Sequence, residues 1–216
     1  MRYRAALFDL DGTLLDTVED LADSMNTALA ERGFPPRAVA ECKLFVGDGV
    51  EMFAMRALPE GHRDEATVAA VVARHRREYS KRWANKTRAY EGIPELLDEL
   101  TSRGVAMAVL SNKPDDFTDV MVARLLPKWK FNAVRGARKG EALKPSPGSA
   151  LWIARKLRIA PAEFLYVGDT NTDMQTANAA GMFPVGALWG FRTAEELQAN
   201  GAKVLIEKPM DMVRLL

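Results

Sequence analysis

The sequence predicts an α/β protein, a doubly wound parallel sheet with an inserted helical domain. Three observations predict it. From Tyr90 onward, short apolar runs alternate with stretches of helical period, the pattern of repeated strand–helix units. Near the N-terminus Ala5-Ala6-Leu7-Phe8 reads as another buried strand. Between the two, residues 16 to 88 show helical periodicity and no strand pattern. The expected organisation is therefore a core of residues 1–15 and 89–216 interrupted by a helical insertion over 16–88.

The first strand ends in Asp9-Leu10-Asp11-Gly12-Thr13, where strand alternation would point both acids to one side and Gly12 lets the backbone turn at once. After Thr13 the spacing of Leu21, Met25, Ala28 and Leu29 predicts a helix, stopped by Gly33 and Pro35-Pro36. The turn Gly47-Asp48-Gly49 precedes another apolar periodic stretch. A helix over about Glu65 to Trp83 would carry Val68, Val72, Tyr79 and Trp83 on one face and Arg74, Arg77, Lys81 and Arg82 on a solvated opposite face.

Gly92 and Pro94 punctuate the return to the core, and Pro94 to Ser102 reads as a helix. Val105 to Leu110 is a buried strand with Ser111-Asn112 at its end, followed by a helix over 115–126 and a weak strand over Phe131 to Val134. A loop then leads to Lys144-Pro145 and a helix over 148–158. The strand Phe164 to Val167 runs into Gly168-Asp169-Thr170-Asn171-Thr172-Asp173 and an alanine-rich helix ending at Gly181. Phe183 to Ala187 is a further strand, Thr193 and Glu196 have capping-box spacing for a late helix, and Lys203 to Ile206 is a last short strand.

Composition narrows the function. With 30 basic against 29 acidic residues, the chain lacks the charge asymmetry of a nucleic-acid or membrane surface, so neither partner is expected. No apolar stretch approaches the roughly 20 residues of a membrane-spanning helix, and no secretory signal is visible, which predicts a cytoplasmic protein. The single cysteine, Cys42, excludes an intrachain disulfide framework and has no neighbours that mark a nucleophile. His62 and His75 lack metal-ligand spacing and read as surface or partly packed. Oligomeric state stays open between monomer and homodimer.

Four features fall at predicted strand ends: Asp9 with Asp11, Ser111-Asn112, Lys144, and Asp169 with Asp173. In a doubly wound sheet, ligands bind along that edge. Clustered carboxylates invite a hard divalent cation, and the set suits phosphoryl transfer through an aspartyl-phosphate. Asp9 would attack, and Asp11 would protonate the leaving oxygen and then activate water. Magnesium would sit among Asp9, the Asp11 carbonyl and Asp169, while Asp173 and Thr13 would orient the ligands from behind. Lys144, Ser111 and the Asn112 amide would neutralise or donate to phosphate oxygens.

These four features, Asp9-Leu10-Asp11-Gly12-Thr13, Ser111-Asn112, Lys144-Pro145 and Gly168-Asp169-x-x-x-Asp173, resemble in order and spacing the four motifs of the haloacid dehalogenase superfamily, over essentially the whole chain. The insertion after the first motif is similar to the helical cap of its phosphatase and mutase branches. The second acid, Asp11, sets the chain apart from the metal-free dehalogenases that lack it. Softer resemblances, Val46-Gly47-Asp48-Gly49, Ala179-Ala180-Gly181-Met182 and Leu188-Trp189-Gly190-Phe191-Arg192, are to its phosphoglycolate phosphatases. The resemblance implies a magnesium-dependent phosphomonoesterase for a small phosphorylated metabolite, 2-phosphoglycolate first.

A sugar phosphomutase or a phosphatase for another small metabolite is the alternative. Phosphoacceptor signalling domains share the acids, hydroxyl and lysine, but they need no insertion and place the nucleophile elsewhere. A degenerate binding module fits poorly, since no motif position is lost. The substrate remainder would be read by the insertion: Gly47 and Gly49 could bring backbone N–H groups to a carboxylate, or form a plain tight turn, and Asp48 should point away from an anion or accept a hydrogen bond. Arg56 and Arg63 are either substrate contacts or solvated surface. Trp189 and Phe191 either pack beneath the site or line its rim.

Overall fold

The computed structural model describes residues 3–216, which divide into two compact units, one running to Leu15 and resuming at Ala89, the other Asp16–Arg88. The first unit contains six parallel strands: β1 (Ala5–Phe8), β4 (Ala106–Pro114), β5 (Ala133–Ala137), β6 (Phe164–Gly168), β7 (Phe183–Ala187) and β8 (Val204–Ile206). Their order across the sheet is β5-β4-β1-β6-β7-β8. β1 therefore has β4 on one side and β6 on the other, with Phe8 in register with both Val109 and Val167. All four residues of β1 are fully buried, which explains why it reads as an unbroken apolar run and not as an alternation.

Helices α5 (Ile93–Ser102), α6 (Asp115–Leu125), α7 (Gly148–Leu157), α8 (Asn171–Ala180) and α9 (Ala194–Ala199) connect the strands. Ala5, Leu7, Ala108, Leu110, Phe164 and Tyr166 form one core with Ile153 of α7 and Ala177 of α8. Thr193 caps α9 by accepting the Glu196 N–H at 3.3 Å, as the capping-box spacing predicts.

Three details differ from the sequence reading. β4 continues past Leu110 to Pro114, with a register irregularity between those residues, so Ser111 and Asn112 lie within the strand. Their polar character reads as the strand's end, yet both are buried. β5 starts at Ala133 and reaches Ala137, later than the Phe131 to Val134 stretch. Where the chain leaves and re-enters the core, two-residue strands β2 (Leu15–Asp16) and β3 (Arg88–Ala89) pair as a ribbon too short for any period to reveal.

The second unit is built from α1 (Val18–Ala30), α2 (Val39–Phe45), α3 (Val50–Ala57) and α4 (Glu65–Arg82), with α1 and α3 both packed on α4. α2 is seven residues long, too short for periodicity alone to mark it. Its Cys42 is fully buried, and burial with Glu41 nearby pushes the thiol up to about 11, so it is no nucleophile. In α1, Asp20 Oδ2 accepts the Lys86 N–H at 2.9 Å, the Thr87 N–H at 2.8 Å and the Thr87 hydroxyl at 2.8 Å, which pins the returning chain to the unit's first helix.

Two expectations for α4 are corrected. His75 is buried, edge-on to Phe53 and stacked on Tyr79, because it continues the Val71, Tyr79 and Trp83 ridge at helical spacing. The basic face is also not simply solvated. Arg74, Lys81 and Arg82 all pair with the buried carboxylate of Glu78, from one turn before and after it on the helix. No helix among the described residues is long and apolar enough to cross a membrane.

Candidate active site

The ends of β4, β1 and β6 stand side by side, at the point where the strand order reverses. Asp9 follows β1 directly, and its N–H donates to the Val167 carbonyl at 3.0 Å, extending the β1–β6 ladder by one bond. The chain then turns: the N–H groups of Leu14 and Leu15 donate to the Leu10 carbonyl at 3.1 and 2.9 Å. Asp9, Asp169 and Asp173 each bring one carboxylate oxygen to within 4.8 Å of the others, and all three residues are buried.

Lys144 is set against these acids. Its Nζ lies 2.9 Å from Asp9 Oδ1 and 2.7 Å from Asp173 Oδ1. The lysine is aimed by Asn112, whose side-chain amide donates to the Lys144 carbonyl at 3.1 Å while its Oδ1 accepts the Lys144 N–H at 2.8 Å. This pair of bonds acts as one more rung of backbone ladder between β4 and the loop that carries Lys144. Ser111 Oγ accepts the Lys113 N–H at 3.2 Å, which leaves its own hydrogen to donate elsewhere.

Asp169 and Asp173 are held differently. Asp173 is saturated: Oδ1 takes Lys144 and the Tyr166 hydroxyl at 3.3 Å, and Oδ2 takes the Thr170 N–H at 3.1 Å and hydroxyl at 2.6 Å. Asp169 accepts one bond on each oxygen, from the Thr13 hydroxyl at 2.6 Å and the Phe191 N–H at 2.9 Å. The Trp189 indole N–H donates to the Thr13 carbonyl at 2.9 Å, so Trp189 and Phe191 brace the site from behind. A Cβ on Gly12 would stand 2.2 Å from Asp169 Oδ2, so the backbone can approach this carboxylate only as glycine.

The electrostatics follow from burying like charges together. Burial first, then the neighbouring Asp173, raises Asp9 well above the usual carboxylate range, against the pull of Lys144. The same two causes push Asp169 up to about 7. For Lys144, burial works against the charged form, but Asp173 and Asp9 outweigh it and hold the ammonium well above its ordinary value. Removing one partner from such a buried ionic cluster costs about 3–5 kcal/mol.

The structure thus brings Asp9, Asp11, Thr13, Ser111, Asn112, Lys144, Asp169 and Asp173 to one edge of the sheet. Gly47 and Gly49 belong to the other unit, in the turn before α3. There Asp48 pairs with Arg56 at 2.6 Å, and Arg56 also donates to the Phe45 carbonyl at 3.0 Å, so this arginine secures its own turn. Arg63 Nε donates to the Leu58 carbonyl at 3.1 Å. One residue was missed. Lys113 is buried and reaches both oxygens of Asp11, at 2.9 and 3.0 Å. Its only signal in the sequence was adjacency to Ser111-Asn112.

The family model for the haloacid dehalogenase-like hydrolases matches residues 6–187. The chain belongs to that family, and within it the chain is a phosphatase. The phosphoglycolate phosphatase of Xanthomonas campestris pv. campestris is 33% identical over 211 residues, covering 97% of this chain and 95% of the relative. That of Pseudomonas putida is 34% identical, covering 94% of this chain and 76% of the relative. A solved protein of Lactobacillus delbrueckii subsp. bulgaricus, provisionally assigned as a phosphoglycolate phosphatase, superposes with a TM-score of 0.94 at 30% identity, over 100% of this chain and 98% of that one.

The raised pKa of Asp169 has a stability consequence. Its folded-state value, about 7, lies above its ordinary 3.8, so the native protein holds a proton that the unfolded chain gives up. Stability of the metal-free protein should therefore fall as pH rises from about 4 to about 7, with the cost complete above that window. In chelator, melting temperature should drop across this range more steeply for wild type than for Asp169→Asn. Parallel slopes would show that Asp169 does not carry a buried charge.

Proposed function

We propose that the chain is a magnesium-dependent phosphomonoester hydrolase that works through a phosphorylated Asp9, on a small carboxylated metabolite, with 2-phosphoglycolate the best candidate. One observation carries the reading. Asp9 Oδ1 is held twice, by the Leu10 N–H at 2.7 Å and by Lys144, while no hydrogen bond among the described residues engages Oδ2. Among the described residues, one oxygen is thus fixed and the other left to attack.

The donor set fits a hard divalent cation: buried, all-oxygen, and with Asp169 able to accept further contacts where Asp173 cannot. Asp9, the Asp11 carbonyl and Asp169 would hold it. When bound, magnesium would supply the positive charge that keeps Asp9 and Asp169 ionised and offsets the charge of the phosphate.

The chain's own residues supply the remaining steps. Asp9 Oδ2 forms a bond to phosphorus as the ester P–O bond breaks, and the leaving oxygen takes a proton from the Asp11 carboxyl. Water then attacks the phosphorus of the acyl phosphate, giving its proton to the Asp11 carboxylate. The P–O bond to Asp9 breaks, inorganic phosphate leaves, and both acids return to their starting forms. Lys144 and the Ser111 hydroxyl counter the charge on the phosphoryl oxygens throughout.

The catalytic residues recognise only a phosphate and its leaving oxygen, so the remainder of the substrate must be read elsewhere, and we assign that to residues 16–88 as a cap. Support comes from the turn before α3. Gly47 and Gly49 both have positive φ, 128° and 92°, α3 starts without a side-chain cap, and Asp48 is neutralised by Arg56. A helix start of this kind suits a carboxylate. The naming of relatives as phosphoglycolate phosphatases supports the same substrate.

Three outcomes follow. Asp9→Asn should lower turnover by at least two decades, roughly 2.7 kcal/mol of barrier, in a protein that still melts cooperatively; retention of more than about a hundredth of the rate would contradict the nucleophile. Chelation should abolish phosphate release, magnesium should restore it, and calcium, which takes more ligands at longer distances, should restore it poorly. Full activity in excess chelator would refute the metal. Gly47→Val or Gly49→Val should cut kcat/KM for 2-phosphoglycolate by about tenfold or more, roughly 1.4 kcal/mol, and much less for an aryl phosphate. Equal losses on both substrates would point to a folding or closure defect, and no loss would remove the turn from substrate reading.

A further inference from the structure

Two acids two residues apart must do different work at this site, and the structure gives each its own lysine. Asp9 pairs with Lys144, delivered by the loop after β5. Asp11 pairs with Lys113, delivered by β4, the strand beside β1. The second pair is also enclosed, though slightly less than the first: its side chains are 5% and 11% exposed. Nζ of Lys113 is nearly equidistant from the two Asp11 oxygens, at 2.9 and 3.0 Å, so it fixes the plane of the carboxylate as well as its position. Three consecutive residues therefore govern both acids. The Ser111 hydroxyl accepts the Lys113 N–H, the Asn112 side chain aims Lys144, and Lys113 holds Asp11.

We propose that Lys113 is the positioning residue for Asp11, the partner of its carboxylate through the reaction; this rests on the acid–base role of Asp11 given above. When the leaving oxygen takes the Asp11 proton, a negative charge appears on a buried carboxyl group. An ammonium already in place on both oxygens stabilises that charge without reorganisation. It also keeps the carboxylate in one orientation for the return step, when the attacking water delivers a proton to it. The second lysine keeps the two jobs apart. With one shared lysine, two acids this close would compete for it, and the position of each would depend on the other's charge.

A residue that acts through Asp11 leaves a specific signature. Lys113→Met should lower kcat on an alkyl phosphate, 2-phosphoglycolate first, by about tenfold or more while KM moves by less than about threefold. In an Asp11→Asn background the same substitution should change kcat by less than about twofold, because the group it positions is already gone. Lys113→Arg keeps the charge and offers two donors, so kcat should stay within about threefold of wild type. If Lys113→Met does not fold, Lys113→Arg and the Asp11→Asn/Lys113→Met pair, which leaves no uncompensated charge, carry the test. Wild-type kcat in folded Lys113→Met would overturn the proposal, as would a loss that multiplies undiminished onto Asp11→Asn, which would mean that Lys113 acts on the substrate directly. Wild-type activity in Asp11→Asn alone would overturn the acid–base reading itself, a result separable from either outcome at Lys113.

Discussion

The contact on which the rest of the site depends is the one between Lys144 and the carboxylates of Asp9 and Asp173. Three acids are gathered within 4.8 Å at a sheet edge from which water is largely excluded, and no arrangement of hydrogen bonds alone would hold three buried negative charges there. Lys144 supplies a positive charge at 2.9 and 2.7 Å, and much of the nearby structure serves to place it. Asn112 forms two backbone-like bonds to it, and Tyr166, from the middle of the sheet, shares its Asp173 partner. Burial, with more acids than cations in the cluster, raises the pKa of both Asp9 and Asp169. That shortfall is what a bound divalent cation would make good.

The same constraint explains the small residues at the site. Asp169 is approached closely by backbone at both Gly12 and Gly190, where an added Cβ would stand 2.2 Å from its atoms. Its two oxygens are then set by Thr13 and Phe191, and Thr13 in turn by Trp189. A carboxylate fixed at this precision loses little freedom when it takes a ligand, and such preorganisation is worth more at a buried site than any single added contact.

The fold was legible where burial imposes a pattern. β1 and β6 are buried on both faces and read as continuous apolar runs, and the helices between them show helical period because only one face of each is covered. What was not legible lacked such a pattern. β4 runs on to Pro114 through Ser111, Asn112 and Lys113, polar residues that are buried although no apolar pattern marks them. His75 reads as surface or partly packed, yet it completes an apolar ridge, and nothing in the sequence marks Glu78, which gathers three cations. At the site, Asp9, Asp11, Lys144 and Asp169 stood out because acids and a lysine at strand ends have no packing explanation. Lys113 did not, since a lysine near a helix start is ordinary on a surface; only its 2.9 Å contact with Asp11, across two strands, gives it a role. The proposed reader of the substrate is equally hard to see in sequence, because backbone N–H groups can bind an anion and leave no side-chain signature.

In the proposed mechanism Asp9 Oδ2 takes the phosphoryl group. The direct measurement is a rapid acid quench of enzyme turning over 2-phosphoglycolate with magnesium, followed by peptide mass spectrometry. One added phosphoryl group should appear on the peptide that carries Asp9 and map to that residue, and it should vanish when the quench follows substrate exhaustion. A phosphoryl group on another residue, or steady turnover with single-turnover kinetics that leave no room for a covalent species, would contradict it.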